Sequence, residues 1–441
     1  MKQVSIVTLG CSKNDIDSSQ MRGVLDEDRF VFTDQVTDAE IIVVNTCGFI
    51  DAAKEESIDT ILDLAKLKKS GKLETLLLAG CLAQRYPEEL LEAIPEADGI
   101  VGPGHIRSIN DAILQAERHE KPIYTASLNN DYIEEARRKD VSVTEYVKIS
   151  EGCNNRCSYC IIPYLKGNNR SRSMENILKE IRHLVANGTR EIILIGQNTT
   201  DYGIDLYKRY ALVDLLKSLR SIDDLHWVRI LYSYPDHFSD DLIEEIKTNP
   251  KVLPYIDIPI QHVSDAILKR MNRKTNRSAI ESLITKLRRT IPNIAIRSTF
   301  LLGFPGETEE DFQEVLDFLK KYPLERAGAF SYSREEGTPA ATMQAQIEES
   351  TKEARVDAFM ALQMDISTSL MEKMVGRSLD VLVTEITEDG ALGRSYLDAP
   401  DIDGLVLVHS DEKLAVGDFI KVEITESTAY DLGGDYIEHC K

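Results

Sequence analysis

The sequence predicts an α/β protein in three parts. An N-terminal parallel α/β domain is expected over 1–118, a partial, open (β/α)6 barrel over 139–370, and a small OB-like β-barrel over 371–441. Three observations carry this reading. Short apolar runs alternate with helix-like stretches through the first three quarters of the chain, the pattern of buried parallel strands. A polar stretch without a sustained period, 119–142, interrupts the alternation and reads as a linker. Beyond a helical stretch over 346–374 the pattern changes to short strands between turns. A chain of 441 residues exceeds one ordinary core, which agrees with several domains.

In the first part the apolar runs are VSIVTL (4–9), IIVVN (41–45) and LLLA (76–79), with a helical stretch over 51–67. Each run is followed by a cysteine: Cys11, Cys47 and Cys81. In an open parallel sheet the C-terminal strand ends share one edge, where ligands bind. Three cysteines far apart in sequence are therefore expected to meet. A lone strand-end cysteine is ordinarily a small buried hydrophobe; three at equivalent places argue for a metal site.

The second part offers strands at 146–149, 191–195, 227–231, 255–258, 295–302 and 327–331. Helices are expected at 174–187, 211–220, 238–247, 277–289 and 309–320, the last opening on Thr308 as N-cap with acids in its first turn. Six such repeats fall short of a complete eight-unit barrel. In the tail, SLDVLVTEIT, LVLVHS and DFIKVEITEST read as strands.

Composition bounds the function. No apolar run approaches the roughly 20 residues of a membrane span. The opening MKQVSIVTLGCSKN has no signal-peptide core, so a cytoplasmic protein is expected. Acidic residues number 74 against 52 basic, a net charge of −22. Such a chain repels phosphates and attracts basic partners. Seven cysteines without an export signal point to metal or redox chemistry rather than disulfides.

The segment EGCNNRCSYCIIP (151–163) carries Cys153, Cys157 and Cys160 at the spacing C-x3-C-x2-C. Three thiolates can hold three irons of a cubane [4Fe–4S] cluster and leave the fourth iron open. Structural zinc competes, but it ordinarily takes four ligands in paired motifs, and no second pair lies nearby.

With this motif the sequence resembles the radical S-adenosylmethionine superfamily. The resemblance implies that S-adenosyl-L-methionine chelates the open iron and is cleaved to a 5′-deoxyadenosyl radical. It also implies that Tyr159, before the last cysteine, packs near the adenine; ordinary loop packing is the bland alternative. Further candidate cofactor contacts are Gln197, Asn198 and Asp201 in IGQNTTDYG (195–203), Arg297, and Gly303 and Gly306 in LLGFPGET (301–308). The last is a Gly/Pro turn where backbone can approach a ligand.

Both triplets, in this order and with this tail, resemble the methylthiotransferase family along essentially the whole chain. The N-terminal matches are TLGCSKN (8–14), VNTCGFI (44–50) and AGCLAQR (79–85). The resemblance implies an auxiliary cluster domain, a radical domain and a TRAM domain, with Cys11, Cys47 and Cys81 holding a second [4Fe–4S] cluster. It implies two S-adenosyl-L-methionine molecules per turnover, one giving the methyl group and one the radical, together with a low-potential reductant and a sulfur donor. A radical is what such chemistry requires, because an unactivated C–H bond has no useful acidity for a general base to exploit.

The family has two branches. One modifies N6-isopentenyl or threonylcarbamoyl adenosine in tRNA; the other modifies the β-carbon of an aspartate in ribosomal protein S12. VNTCGFIDAAKEESIDTIL (44–62) and DAPDIDG (398–404) look like the protein branch. Residues 371–441 hold sixteen acids and six bases, a net of −10. That tail disfavours tRNA and suits a basic protein, either free S12 or S12 in the small subunit. One departure stands out. After the cluster loop the family reads like R-G-x-x-x-S-R-P, whereas LKGNNRSRS (165–173) has Lys166 for Arg and Ser173 for Pro. Lys keeps the charge but lacks the planar fork. Arg170 and Arg172 are candidate contacts to cofactor or substrate, or plain surface charge.

Overall fold

The computed structural model describes residues 1–69, 71–125, 128, 138 and 141–440. The chain divides into two compact units: Met1–Asp140 with Ser150–Glu180 and Ser333–Ala341, and Val141–Ile149 with Ile181–Tyr332 and Thr342–Lys441.

The first unit is built on a six-stranded sheet of β1 (Lys2–Thr8), β2 (Phe30–Phe32), β3 (Ile41–Thr46), β4 (Thr75–Ala79), β5 (Gly99–Val101) and β6 (Ile123–Tyr124). The order is β2-β1-β3-β4-β5-β6, every pairing parallel. Side chains alternate between two cores. Val4, Ile41, Val43, Leu77 and Val101 pack with Met21 of α1 (Ser12–Val24) and with helix Ile109–Ala116. Ile42, Val44, Leu76, Leu78 and Ile100 face Ile61 and Ala65 of α2 (Asp51–Lys69). Covering on both faces is why these strands read as continuous apolar runs. The order makes β1, β3 and β4 neighbours, so the three cysteine-bearing ends lie side by side.

One strand falls within the expected linker. Ile100 and Gly102 donate their N–H groups to the carbonyls of Pro122 and Tyr124, 2.8 Å each, which draws β6 onto the edge of β5. The greater part of 119–142 lies outside the described residues.

The second unit opens with β7 (Thr144–Lys148). In the first unit, β8 (Ser150–Glu151) pairs antiparallel with β9 (Arg170–Ser171), closing the base of the 153–160 loop. The barrel strands of the second unit continue with β10 (Glu191–Ile195), β11 (Trp227–Ile230), β12 (Tyr255–Asp257), β13 (Ala295–Leu302) and β14 (Arg326–Ser331). They form two parallel sheets, β11-β10-β7 and β12-β13-β14, and an isolated parallel bridge joins Val228 of β11 to Val252 just before β12. Helices Met174–Ala186, Leu212–Leu219, Asp240–Thr248, Arg277–Thr290 and Glu309–Lys321 make the crossovers. The last begins as the sequence predicts: Thr308 and Asp311 form a reciprocal capping box.

The tail is a closed barrel, β15-β16-β17-β19-β18, of β15 (Ser378–Thr387), β16 (Gly390–Arg394), β17 (Val406–His409), β18 (Phe419–Ser427) and β19 (Leu432–His439). The sequence reading lacked β16 and β19. GALGR and LGGDYIEH are poor in β-formers, and pairing rather than propensity makes them strands. A tight hairpin pairs Thr387 with Gly390, and β19 closes the cylinder between β17 and β18.

A buried polar brace holds residues 394–403 to barrel strands of the same unit. Glu191 accepts from Arg229 at 3.1 Å and from Arg394 at 2.5 Å. Arg326 pairs with Asp398 at 2.6 Å, and the Tyr255 hydroxyl donates to Asp403 at 2.6 Å. The DAPDIDG stretch is therefore partly internal: Asp398 is 1% exposed, while Asp401 and Ile402 face outward.

Two cysteine triplets and the strand-end turns

Both triplets belong to the first unit. Cys11 caps α1 after β1, Cys47 directly follows β3, and Cys81 lies in the first turn of α3 (Gly80–Arg85) after β4. The three loops meet too tightly for side chains beside the sulfurs. A Cβ on Gly10, whose φ is +96°, would stand 2.7 Å from the Cys47 Cβ. One on Gly80, φ +90°, would stand 2.4 Å from Asn45 Oδ1 and 2.5 Å from the Thr46 carbonyl. Both positions need the left-handed backbone and the missing side chain.

A buried polar network fixes the same loops. Asn14 donates to the Leu9 carbonyl at 2.7 Å and Asn45 to the Asn14 carbonyl at 2.9 Å. The Thr46 hydroxyl donates to the Ala79 carbonyl at 2.6 Å, tying the end of β3 to that of β4. Ser57 of α2 accepts from the Cys47 N–H and donates to the Cys47 carbonyl, at 3.1 and 3.0 Å. The sequence reading singled out none of these four. Their signal was position alone, beside the cysteines in TLGCSKN and VNTCGFI or on the helix that follows.

The second triplet lies on the loop between β8 and β9. Cys153 N–H donates to the Gly167 carbonyl at 3.1 Å and Cys160 N–H to the Cys157 carbonyl at 3.1 Å. Tyr159 is half-buried in the turn before Cys160. Ile161 and Leu165, just past the loop, pack directly on Cys81 of the first triplet. Arg172 is buried and pairs with Glu180 at 2.7 Å; Arg170 is half-buried in β9.

None of these thiols is in a disulfide. Burial pushes Cys81 up to about 12, against the pull of Lys166 and with a further push from Cys47 and Cys11. Burial likewise raises Cys160 to about 12, helped by Cys157 and Cys153. Members of each triplet thus lie within electrostatic range of one another. Among the described residues, no three His, Cys, Asp or Glu side chains converge as a ready site for a metal ion. Soft thiolate donors without a fourth protein ligand fit an iron–sulfur cluster better than structural zinc.

The other predicted contacts belong to the second unit. Gln197, Asn198 and Asp201 follow the C-terminal end of β10, and Gly303 and Gly306 follow that of β13. Asn198 is 2% exposed; its Oδ1 accepts from Thr200, while its buried Nδ2 has no hydrogen-bond partner. A buried donor left over in this way suits a ligand. Asp201 accepts from His237 at 2.6 Å. Arg297 is not brought to this edge. It is the third residue of β13, about 20 Å along the strand from Gly303, and pairs with Asp257 at 3.0 Å and Asp403 at 3.5 Å. Glu307, unremarked in the sequence, organises the Gly/Pro turn. Buried, it accepts from Gly303 N–H at 2.8 Å and Phe304 N–H at 3.2 Å, and pairs with Arg355 at 2.7 Å.

Three family models match the chain: an uncharacterized protein family, UPF0004, over 3–102, the Radical SAM superfamily over 147–319, and the TRAM domain over 375–437. Full-length relatives sharpen this. The ribosomal protein uS12 methylthiotransferase RimO of Thermoanaerobacter sp. (strain X514) is 47% identical over 99% of this chain and all of its own length. Its counterparts in Desulforamulus reducens and Clostridium acetobutylicum are 47% and 46% identical, over 99% and 97% of this chain and of their own lengths. The chain belongs to the uS12 methylthiotransferase family. Membership carries with it the radical S-adenosylmethionine class, and so a [4Fe–4S] cluster and S-adenosyl-L-methionine. A solved structure of the radical S-adenosylmethionine methyltransferase TsrM from Kitasatospora setae covers 86% of this chain and 80% of its own, at TM-score 0.55. At 13% identity it attests the fold alone.

Proposed function

We infer that the chain transfers a methylthio group to the β-carbon of an aspartate of ribosomal protein S12. The observation that carries this reading is end-to-end similarity to uS12 methylthiotransferases in a chain with two strand-framed cysteine triplets. Cys153, Cys157 and Cys160 hold the radical cluster, and Cys11, Cys47 and Cys81 hold a second, auxiliary [4Fe–4S] cluster. When bound, these groups and two molecules of S-adenosyl-L-methionine supply the methyl group, the sulfur and the radical that opens a C–H bond.

This chain's residues do the holding. Each triplet leaves one iron without a protein ligand, the opening a reacting molecule needs. Tyr159 is assigned to the adenine, and Gln197, Asn198, Asp201, Gly303 and Gly306 to the rest of the cofactor. Asn198 has the strongest support among them, through its buried, unpartnered Nδ2. Arg297 is expected to contribute least, because two carboxylates already match its charge.

The tail barrel is assigned to docking S12, whether free or in the small subunit. A groove lined by Leu405, Leu407 and Leu432 is rimmed by Glu426 and Asp431, and exposed Glu385, Glu388, Asp389 and Glu423 extend the acidic surface. Such a surface fits a basic protein and repels RNA. No helix among the described residues is long and apolar enough to cross a membrane. The work is assigned to the cytoplasm, where a low-potential reductant and a sulfur donor must serve the clusters.

The deciding experiment is anaerobic. The reconstituted chain receives reductant, sulfide and S-adenosyl-L-methionine, with purified S12 and unmodified tRNA offered in parallel. Mass spectrometry is expected to find the methylthio group on an S12 aspartate alone. Modification of tRNA alone would overturn the substrate assignment.

A further inference from the structure

Lys166 lies in the first unit, on the segment that runs from Cys160 to β9. It directly follows Leu165, which packs on Cys81. Its side chain is 3% exposed and lies 2.8 Å from Glu151 Oε1 and 3.5 Å from Asp17 Oδ2. Glu151 precedes Cys153 by two residues. Asp17 sits on α1, the helix that Cys11 caps, and is itself buried. One ammonium thus links the strand that leads into one triplet with the helix that leads out of the other.

We propose that Lys166 is a positioning residue for the auxiliary cluster, locking the 153–165 loop against α1 and placing a buried positive charge beside Cys47 and Cys81. The inference rests on the two-cluster reading above. A bare ammonium in this dry setting is costly unless paired. Burial works to strip its proton, but the carboxylates of Glu151 and Asp17, at 2.8 and 3.5 Å, keep it charged. The charge lies toward the first triplet: the residue before it, Leu165, packs on Cys81, and its partner Asp17 sits on the helix that Cys11 caps. A cluster carries added negative charge when reduced, and nearby charge is one of the levers on its potential. Lys166 should therefore make the auxiliary cluster easier to reduce.

The test is a redox titration followed by electron paramagnetic resonance, on full-length chains with Lys166→Met or Lys166→Arg. The auxiliary cluster is read in a background of Cys153, Cys157 and Cys160→Ala, and the radical cluster in a background of Cys11, Cys47 and Cys81→Ala. Lys166→Met is expected to move the auxiliary midpoint to more negative potential at unchanged iron content. The radical cluster should stay where it was, and Lys166→Arg should restore the potential by restoring the charge. If the two stranded carboxylates keep Lys166→Met from folding, Lys166→Gln, whose amide can still donate to Glu151 or Asp17, removes the charge alone and gives the same reading. An unmoved auxiliary potential at full iron content, or an equal shift in both clusters, overturns the inference alone. Failure of the Cys11–Cys47–Cys81 triplet to take up iron with Lys166 intact overturns the two-cluster reading and this inference with it.

Discussion

Replacing Glu307 with Gln tests how the Gly/Pro turn after β13 is held. The carboxylate is buried, accepts two backbone N–H groups at 2.8 and 3.2 Å, and pairs with Arg355, itself 8% exposed, at 2.7 Å. Gln retains the volume and one acceptor oxygen, so an amide bond survives. What it loses is the charge opposite Arg355. Breaking a buried pair from one side costs about 3–5 kcal/mol because the remaining charge stays buried. Arg355 has a second carboxylate, Glu309, at 3.4 Å, but that group is 74% exposed and well screened. The low end, about 3 kcal/mol, is the better expectation. Urea denaturation should show a lower midpoint for the second unit at unchanged slope. Arg355→Met added to Glu307→Gln should recover part of the loss, since no charge is then stranded. Binding of S-adenosyl-L-methionine should change less than stability, because one Gln oxygen can still accept from both the Gly303 and Phe304 amides. A loss below about 1 kcal/mol, the range of an exposed ion pair, would refute the view that this carboxylate holds the turn.

Four further outcomes are expected. Cys47→Ala should leave the reconstituted chain with about half its iron and sulfide, measured chemically, while reductive cleavage of S-adenosyl-L-methionine persists. Burial alone would raise the Glu191 carboxyl, but Arg394 and Arg229 outweigh it and hold it below the usual range. Its stabilisation is therefore present above about pH 4.3 and lost as pH falls through the lowered value. Glu191→Gln should accordingly be less stable at neutral pH, with the gap closing in acid melts below about pH 4. Glu426→Lys with Asp431→Lys should weaken S12 binding and flatten its salt dependence, read by titration at two ionic strengths. Thr46→Val should cost about 1–3 kcal/mol by leaving the Ala79 carbonyl unpaired. Thermal melts should show the larger loss without clusters, because iron ties the same loops together.

Much of this architecture was legible because burial writes itself into apolar runs. Strands covered on both faces, such as β3, β10 and β13, could be bounded to within a residue or two. The strand order of the first sheet had no such signature, yet it is what sets Cys11, Cys47 and Cys81 side by side. Where a strand owes its existence to pairing, as β16 and β19 do, composition misled. Polar residues were the harder case. Asn45, Thr46 and Glu307 look like loop polarity in sequence, and only the structure shows that each is buried and hydrogen-bonded. Arg297 shows how much residue type leaves open: it sits near the start of β13, beside Asp257 and Asp403. The acidity of the tail needs the same correction, since Asp398 and Asp403 brace the barrel strands and are not offered to a partner.

The placing of buried polar groups also bears on how a site can be assembled from distant segments. Each of the three strand ends in the first unit has backbone groups that the sheet no longer pairs, and buried groups of this kind must be satisfied. Asn45 and Thr46 reach across elements and tie the Cys47 loop to those of Cys11 and Cys81, while Asn14 and Ser57 brace the Cys11 and Cys47 loops from the helices that follow them. The glycines at 10 and 80 let those loops approach within contact distance. The scaffold around the thiols is thereby held by the protein's own hydrogen bonds. Burial raises the Cys81 thiol to about 12, so a metal held there must displace its proton.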